Sequence, residues 1–467
     1  MTATEDHITP HIIQKEIDGL PFAYQRSILR TDPDRLGDTL REIRDIQQEP
    51  DSTLKDVTIE RHPGRKSGTL ELAGDDVDAL VVRDRLRDAL HARGVTVPLE
   101  VEPVYHADEP DGRFMGMPVK HGHGVGGIFG TTRFGVHLNG LAPPPRLTAD
   151  LNAGRRPVVA VVDTPVRKHP GLGDGHGEEA FWQDAREVRD PWKPSFDIRE
   201  RKDGRRSHAG HGTFIAGIVR LLAPDARVLS IPVMHSNGIV EEEHALQALN
   251  WIHDRVSTGE DEKFVDVVNL SFGRYLRAGE IPADTSDLRS VLDRLAELGV
   301  RVVASAGNRH VRKRVLPAAF SRERFAEESD PDHTGLISVG ALDPDGTLAA
   351  YTSTGDWVTV NAPGTSVVST LPRFDSTEFP LPADLDKNGD PTRPDPNFQA
   401  SGIGQWSGTS FAAAWVSASI AAKLLEQAGP GGLVDSSPAM ASPRAKFAWD
   451  AVRADLNDWV ARDGLVG

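Results

Sequence analysis

Cysteine is absent from the 467 residues. Disulfides, thiolate metal sites and a cysteine nucleophile are therefore excluded together. Positive charge is also in short supply: the net charge is −16, and the acidic excess is spread along the chain rather than gathered in one tail. Such a surface repels phosphate backbones and anionic headgroups, so neither nucleic acid nor a membrane surface is expected as a partner. The longest mostly apolar run, 410–425, carries hydroxyls throughout. It falls short of the roughly 20 apolar residues that a helix needs to span a bilayer. The opening stretch MTATEDHITPHIIQKEIDGL has acidic residues where a secretory leader needs basic ones, and no continuous apolar segment. A cytoplasmic location is the expectation. No internal repeat is apparent.

What is present is the composition of a water-soluble globular chain, 38% hydrophobic and 26% charged. Its length suits about two or three domains. The first segment, 1–119, opens with a polar, loosely patterned stretch and then a helical pattern over 35–47. KDVTIERHPGRKSGTLELAG follows as two strands joined at a Pro-Gly turn. DDVDALVVRDRLRDALHARG has apolar residues at helical spacing and a glycine stop, and VTVPLEVEPVYH reads as a further strand. A small α/β domain is expected here. Residues 120–155 turn to glycine, proline and small side chains, the composition of a linker or extended arm.

From 156 to 429 the pattern changes again. VVAVVD, VLSIPVM, DVVNLSF, RVVASAG and LISVGA are short β-branched runs bounded by turn residues, and amphipathic helical stretches lie between them. Such alternation predicts an α/β fold with a doubly wound, mostly parallel sheet and helices on both faces. Two polar stretches, 171–206 and 372–405, interrupt it as surface insertions. Beyond them, 430–467 form a linker and a last helix. There Ala448, Val452, Leu456, Trp459 and Val460 recur at spacings of three and four, so this helix should dock on the main domain.

Three distant segments of the α/β region end in residues suited to nucleophilic catalysis. VVAVVD closes on Asp163. SHAGHGTFIAG sets His211 at the start of a helix, and GTSFAAAW does the same for Ser410. Sites in open α/β sheets gather at the carboxyl ends of strands and the adjoining helix N-termini, so these segments can meet. A serine hydroxyl is a weak nucleophile until an imidazole takes its proton, and a carboxylate behind the ring fixes the tautomer. Negative charge on the tetrahedral intermediate then needs donors aimed beforehand. A helix N-terminus supplies one, and the side-chain amide of Asn308, closing VVASAGN, could supply another.

These motifs in this order resemble the subtilisin-like serine proteases, the subtilases of peptidase family S8. The matching elements are Asp163-Thr164, His211-Gly212-Thr213-x-x-Ala216-Gly217, Ala306-Gly307-Asn308 and Gly408-Thr409-Ser410-x-Ala412. Val268-Asn269-Leu270-Ser271-Phe272-Gly273 and Ala362-Pro363-Gly364 support them, and the likeness covers about half of the chain, from Pro157 to Leu425. It implies a subtilisin-like fold and a serine endopeptidase of protein or peptide substrates. Asp163, His211 and Ser410 would be the triad and Asn308 the oxyanion donor. By the same likeness, Gly238, Ile239, Val240 and Ser271, Phe272, Gly273 would be edge segments flanking an extended substrate. The N-terminal domain would be an intramolecular prodomain; its alternative is a retained regulatory domain.

The departures define a rival. Pro165 stands where the family usually has glycine, and Ala413-Ala414-Trp415 where Pro-His is common. A catalytically impaired relative that binds peptides or serves as a scaffold is the alternative reading. No cofactor is needed for the chemistry itself. A structural calcium ion is the one candidate: Asp384, Asp386, Asn388 and Asp390, with Gly389 and then Asp395, have the spacing of an oxygen-ligand loop. A solvated acidic turn is the plainer interpretation. His121 and His123 lie in a glycine-rich stretch without an obvious carboxylate partner, and His208 is expected as a loop residue.

Overall fold

The five β-branched runs of the central region become neighbouring strands of one parallel sheet. The computed structural model describes residues 11–17, 20–63, 68–74, 77–107, 134–135, 154–167, 169, 172, 208–276, 286–321, 335–372 and 402–462. The chain divides into two compact units, Met1–Tyr105 and His106–Gly467.

In the second unit the strands are β7 (Val158–Asp163), β8 (Arg227–Pro232), β10 (Val267–Leu270), β12 (Arg301–Ser305), β14 (Leu336–Leu342) and β15 (Val360–Pro363). They lie in the order β15-β14-β12-β10-β7-β8, every pair parallel. Strands β7, β10, β12 and β14 are buried at every residue, which explains why they read as unbroken apolar runs rather than alternating ones. The helices Glu242–Val256 and Ser286–Glu297 pack on each other. The helices His211–Leu222 and Thr409–Ala428 pack together against the sheet, sharing a core with Val161, Val303 and Val339. This is the expected doubly wound α/β fold.

The last helix, Pro438–Arg462, adds Ala448, Trp449, Val452 and Leu456 to the same core. Docking through Ala448, Val452 and Leu456 was legible in the spacing; the side chains of Trp459 and Val460 lie outside the described residues. Arg155 makes a bidentate ion pair with Asp266 at 2.6 and 3.0 Å, and Asp266 Oδ2 also accepts the Val158 N–H at 2.8 Å. One carboxylate thus pins the start of β7 beside that of β10. Smaller pairings are antiparallel: β16 (Val367–Thr370) with β17 (Ile403–Trp406), β17 with β6 (Phe134–Gly135), and β11 (Arg274–Tyr275) with β13 (Val315–Leu316).

The first unit is an antiparallel sheet with two helices. Its strands are β1 (Ile12–Ile17), β2 (Leu20–Thr31), β3 (Thr58–Arg61), β4 (Thr69–Ala73) and β5 (Leu99–His106). The predicted helices occur over Leu36–Gln47 and Ala79–Ala92. Asp78 caps the second, accepting the Leu80 N–H at 3.0 Å, and also takes the Tyr24 hydroxyl at 2.8 Å. The opening stretch, expected to be loosely patterned, instead holds β1 and the twelve-residue β2, which pairs with β1, β4 and β5. A register shift between Tyr24 and Leu29 breaks the period of two, and that irregularity hid the strand.

Candidate active site

Asp163 ends β7 and is fully buried. Both of its carboxylate oxygens lie 2.9 Å from Nδ1 of His211. The Thr164 N–H donates to Asp163 Oδ1 at 2.7 Å, and Thr164 Oγ1 accepts the Gly212 N–H at 2.8 Å. The carboxylate is therefore held from the main chain one residue before Pro165, so the donor that proline lacks is not needed. Gly212 is required by this closeness, because a Cβ there would stand 2.2 Å from the Thr164 carbonyl oxygen. Facing a carboxylate, Nδ1 of His211 carries the proton, which leaves the lone pair on Nε2. The ring is flanked by Trp406 and Phe411, each 5.3 Å between centroids, and by His208 at 5.5 Å. His208 is thus a buried neighbour of His211.

Ser410 is the second residue of the helix Thr409–Ala428, where main-chain N–H groups have no intrahelical acceptor. The helix runs on regularly through Ala413 and Ala414, both fully buried, and Trp415 finds half-buried space against the core. Ser410 Oγ donates to the Ser271 carbonyl at 3.3 Å, and Ser271 Oγ donates to the Ser410 carbonyl at 3.0 Å. Behind them Asn269 Nδ2 donates to Ser271 Oγ, and Ser417 Oγ donates to Asn269 Oδ1. Asn308 is oriented from its carbonyl end, where Oδ1 accepts both the N–H and the hydroxyl of Thr409 at 2.8 Å. Asn308 and Ser410 border one small cavity with Gly273, Val315 and His106.

His106 was not singled out in the sequence. Its main chain forms an antiparallel bridge to Gly273: the His106 N–H donates to Gly273 O at 2.8 Å, and the Gly273 N–H to His106 O at 2.7 Å. The next residue, Ala107, donates its N–H to Gly238 O at 2.9 Å. The chain's own backbone therefore runs between the two segments expected to flank a substrate. Ile239 and Val240 belong to β9 (Ile239–Glu241) and are buried, as are Ser271 and Phe272. Burial pushes the His106 imidazole down to about 4, and the nearby Arg309 guanidinium pushes the same way. Nothing in the sequence around His106 marks such a role; only the strand before it was legible.

A larger hollow of about 500 Å³, bounded by Glu297, Arg301, Gly335 and Lys446, shares no residue with this site and contains no histidine. The acidic segment with Asp384, Asp386, Asn388, Asp390 and Asp395 lies outside the described residues, as do His121 and His123. Among the described residues no helix is long and apolar enough to cross a membrane.

Residues 154–443 match the subtilase family, Peptidase_S8, and the chain belongs to that family. It is 27% identical over 228 residues to the minor extracellular protease Epr of Bacillus subtilis (strain 168), a match covering 46% of this chain and 28% of Epr. Subtilisin DY of Bacillus licheniformis is 28% identical over 172 residues, 35% of this chain and 54% of that protein. The chain thus spans about half or less of the length of these curated relatives. Among solved structures, fervidolysin from Fervidobacterium pennivorans, a keratinolytic enzyme related to subtilisin, is similar with a TM-score of 0.46 and 18% identity. That match covers 91% of this chain and 57% of fervidolysin.

Proposed function

We propose that this chain is a serine endopeptidase that hydrolyses peptide bonds of protein or peptide substrates through an acyl-enzyme. Asp163, His211 and Ser410 are its triad and Asn308 its oxyanion donor. The observation that carries this reading is the extended backbone of His106 and Ala107, hydrogen-bonded to Gly273 and Gly238 beside Ser410. A groove that holds a strand of this chain by main-chain hydrogen bonds can hold a substrate strand in the same way.

Catalysis begins when the Ser410 hydroxyl turns from the Ser271 carbonyl to His211 Nε2 and attacks the scissile carbonyl as its proton passes to the imidazole. Asp163, already bonded to Nδ1, stabilises the imidazolium. The alkoxide accepts hydrogen bonds from the Asn308 amide and from the Ser410 N–H at the positive end of its helix. Collapse expels the amine, which takes the proton from His211. Water then repeats the sequence on the acyl-enzyme. The N-terminal domain, expected over 1–119, is an intramolecular prodomain in this proposal, which the hydrogen bonds of His106 and Ala107 to Gly273 and Gly238 support.

A fluorophosphonate probe tests the peptidase reading. The wild-type chain is expected to be labelled at Ser410, and Ser410→Ala to abolish labelling. A folded wild-type chain that stays unlabelled after cleavage or acid release of residues 106–107 from the groove would favour the impaired, peptide-binding alternative.

A further inference from the structure

His235, Glu241 and His244 come together away from the triad, their nitrogen and oxygen atoms all within 4.8 Å of one another. All three are buried, with side chains 3%, 6% and 11% exposed. His235 follows β8, Glu241 ends β9, and His244 sits in the first turn of the helix Glu242–Val256. The segment between them is a tight turn, closed by a bridge between Met234 and Val240 and by the His235 N–H donating to Ile239 O at 2.9 Å.

The spacing of the side chains is informative. His235 Nε2 lies 3.7 Å from Glu241 Oε1, and His244 Nε2 lies 3.9 Å from Glu241 Oε2. Both separations exceed those of N–H···O hydrogen bonds, about 2.7–3.2 Å. They are a few tenths of an ångström longer than the roughly 3.3–3.6 Å between two ligands that each stand about 2.0–2.2 Å from one tetrahedral ion, a gap that small side-chain shifts close. The two rings, 6.1 Å between centroids, flank the carboxylate from different elements. Imidazole nitrogens are poor ligands for calcium or magnesium and good ones for zinc-like cations, and two histidines with one carboxylate leave a fourth position for water.

From this arrangement we propose that His235, Glu241 and His244 bind one divalent transition-metal cation of the zinc class. The ion ties the two arms of the turn together, and the tip of that turn carries Gly238, the acceptor of the Ala107 N–H. Its occupancy therefore fixes one wall of the groove. The site is independent of the peptidase proposal, because its ligands are none of the residues assigned to the chemistry.

The test uses the full chain carrying Ser410→Ala, stripped with chelator and titrated with zinc or cobalt(II). One zinc per chain is expected by mass spectrometry of the desalted protein, together with the visible d–d absorption of tetrahedral cobalt. Glu241→Gln, close in shape, should weaken binding at least tenfold; if it does not fold, His244→Ala carries the same comparison. A parent chain that retains no ion overturns the proposal. So does a parent whose affinity is unchanged by either substitution, because the ion would then lie elsewhere.

Discussion

At the scale of single residues, the environment decides what each side chain does. His211 is buried, as is the Nε2 atom of His106, but among the described residues His211 is the one of the two with a carboxylate against its ring. His106 is held neutral instead, its basicity lowered by burial to about 4. Out of the groove it returns toward the ordinary histidine value of about 6.5. The released state therefore binds a proton more tightly than the seated one, and acid favours release. Seating is fully favoured above about pH 6.5 and loses up to about 1.4 kcal/mol per pH unit as the pH falls toward 4. A fluorescent peptide should bind Ser410→Ala more tightly in mild acid than at neutral pH. His106→Asn should flatten that dependence; an unchanged profile would remove His106 as its cause.

His211, Ser410 and Asn308 could be named from sequence because each sits in a short motif whose glycines are dictated by close packing, such as Gly212 against Thr164, and Asp163 because it closes a valine-rich strand run. His235, Glu241 and His244 escaped notice because their meeting depends on how a turn folds back, which no local spacing announces. The seat of His106 depends on a pairing with residues far along the chain, and was equally hidden.

At the scale of elements, the parallel strands were legible because they are buried on both faces and so rich in valine. β1 and β2 were not, since an antiparallel sheet shows itself by alternation and the irregularity after Tyr24 interrupts it. Where strands meet, one ion pair governs much. Arg155 and Asp266 are 7% and 6% exposed, and Asp266 also accepts the first N–H of β7. Asp266→Ala leaves a buried guanidinium without its carboxylate, so urea denaturation should show a loss of about 3–5 kcal/mol. A loss near that of a surface substitution would mean that water reaches Arg155.

At the scale of the whole chain, the backbone of His106 and Ala107 is hydrogen-bonded to Gly273 and Gly238, so in the proposed peptidase the first peptide bond met would be the chain's own. Intact-mass analysis of the purified wild type is expected to show two products, cut in the stretch of sequence that follows His106. Ser410→Ala should remain a single species of full mass. Identical masses for the two chains would mean that the segment is held as an uncut strand.

The thread of hydrogen bonds from Ser417 through Asn269 and Ser271 to Ser410 has a mechanical meaning. In the proposed peptidase, the rail along which a peptide would lie and the oxygen that would attack it belong to one stiff piece. Pressure on that rail would then be felt at the attacking atom, so that filling more of the groove would alter the speed of cutting as well as the grip.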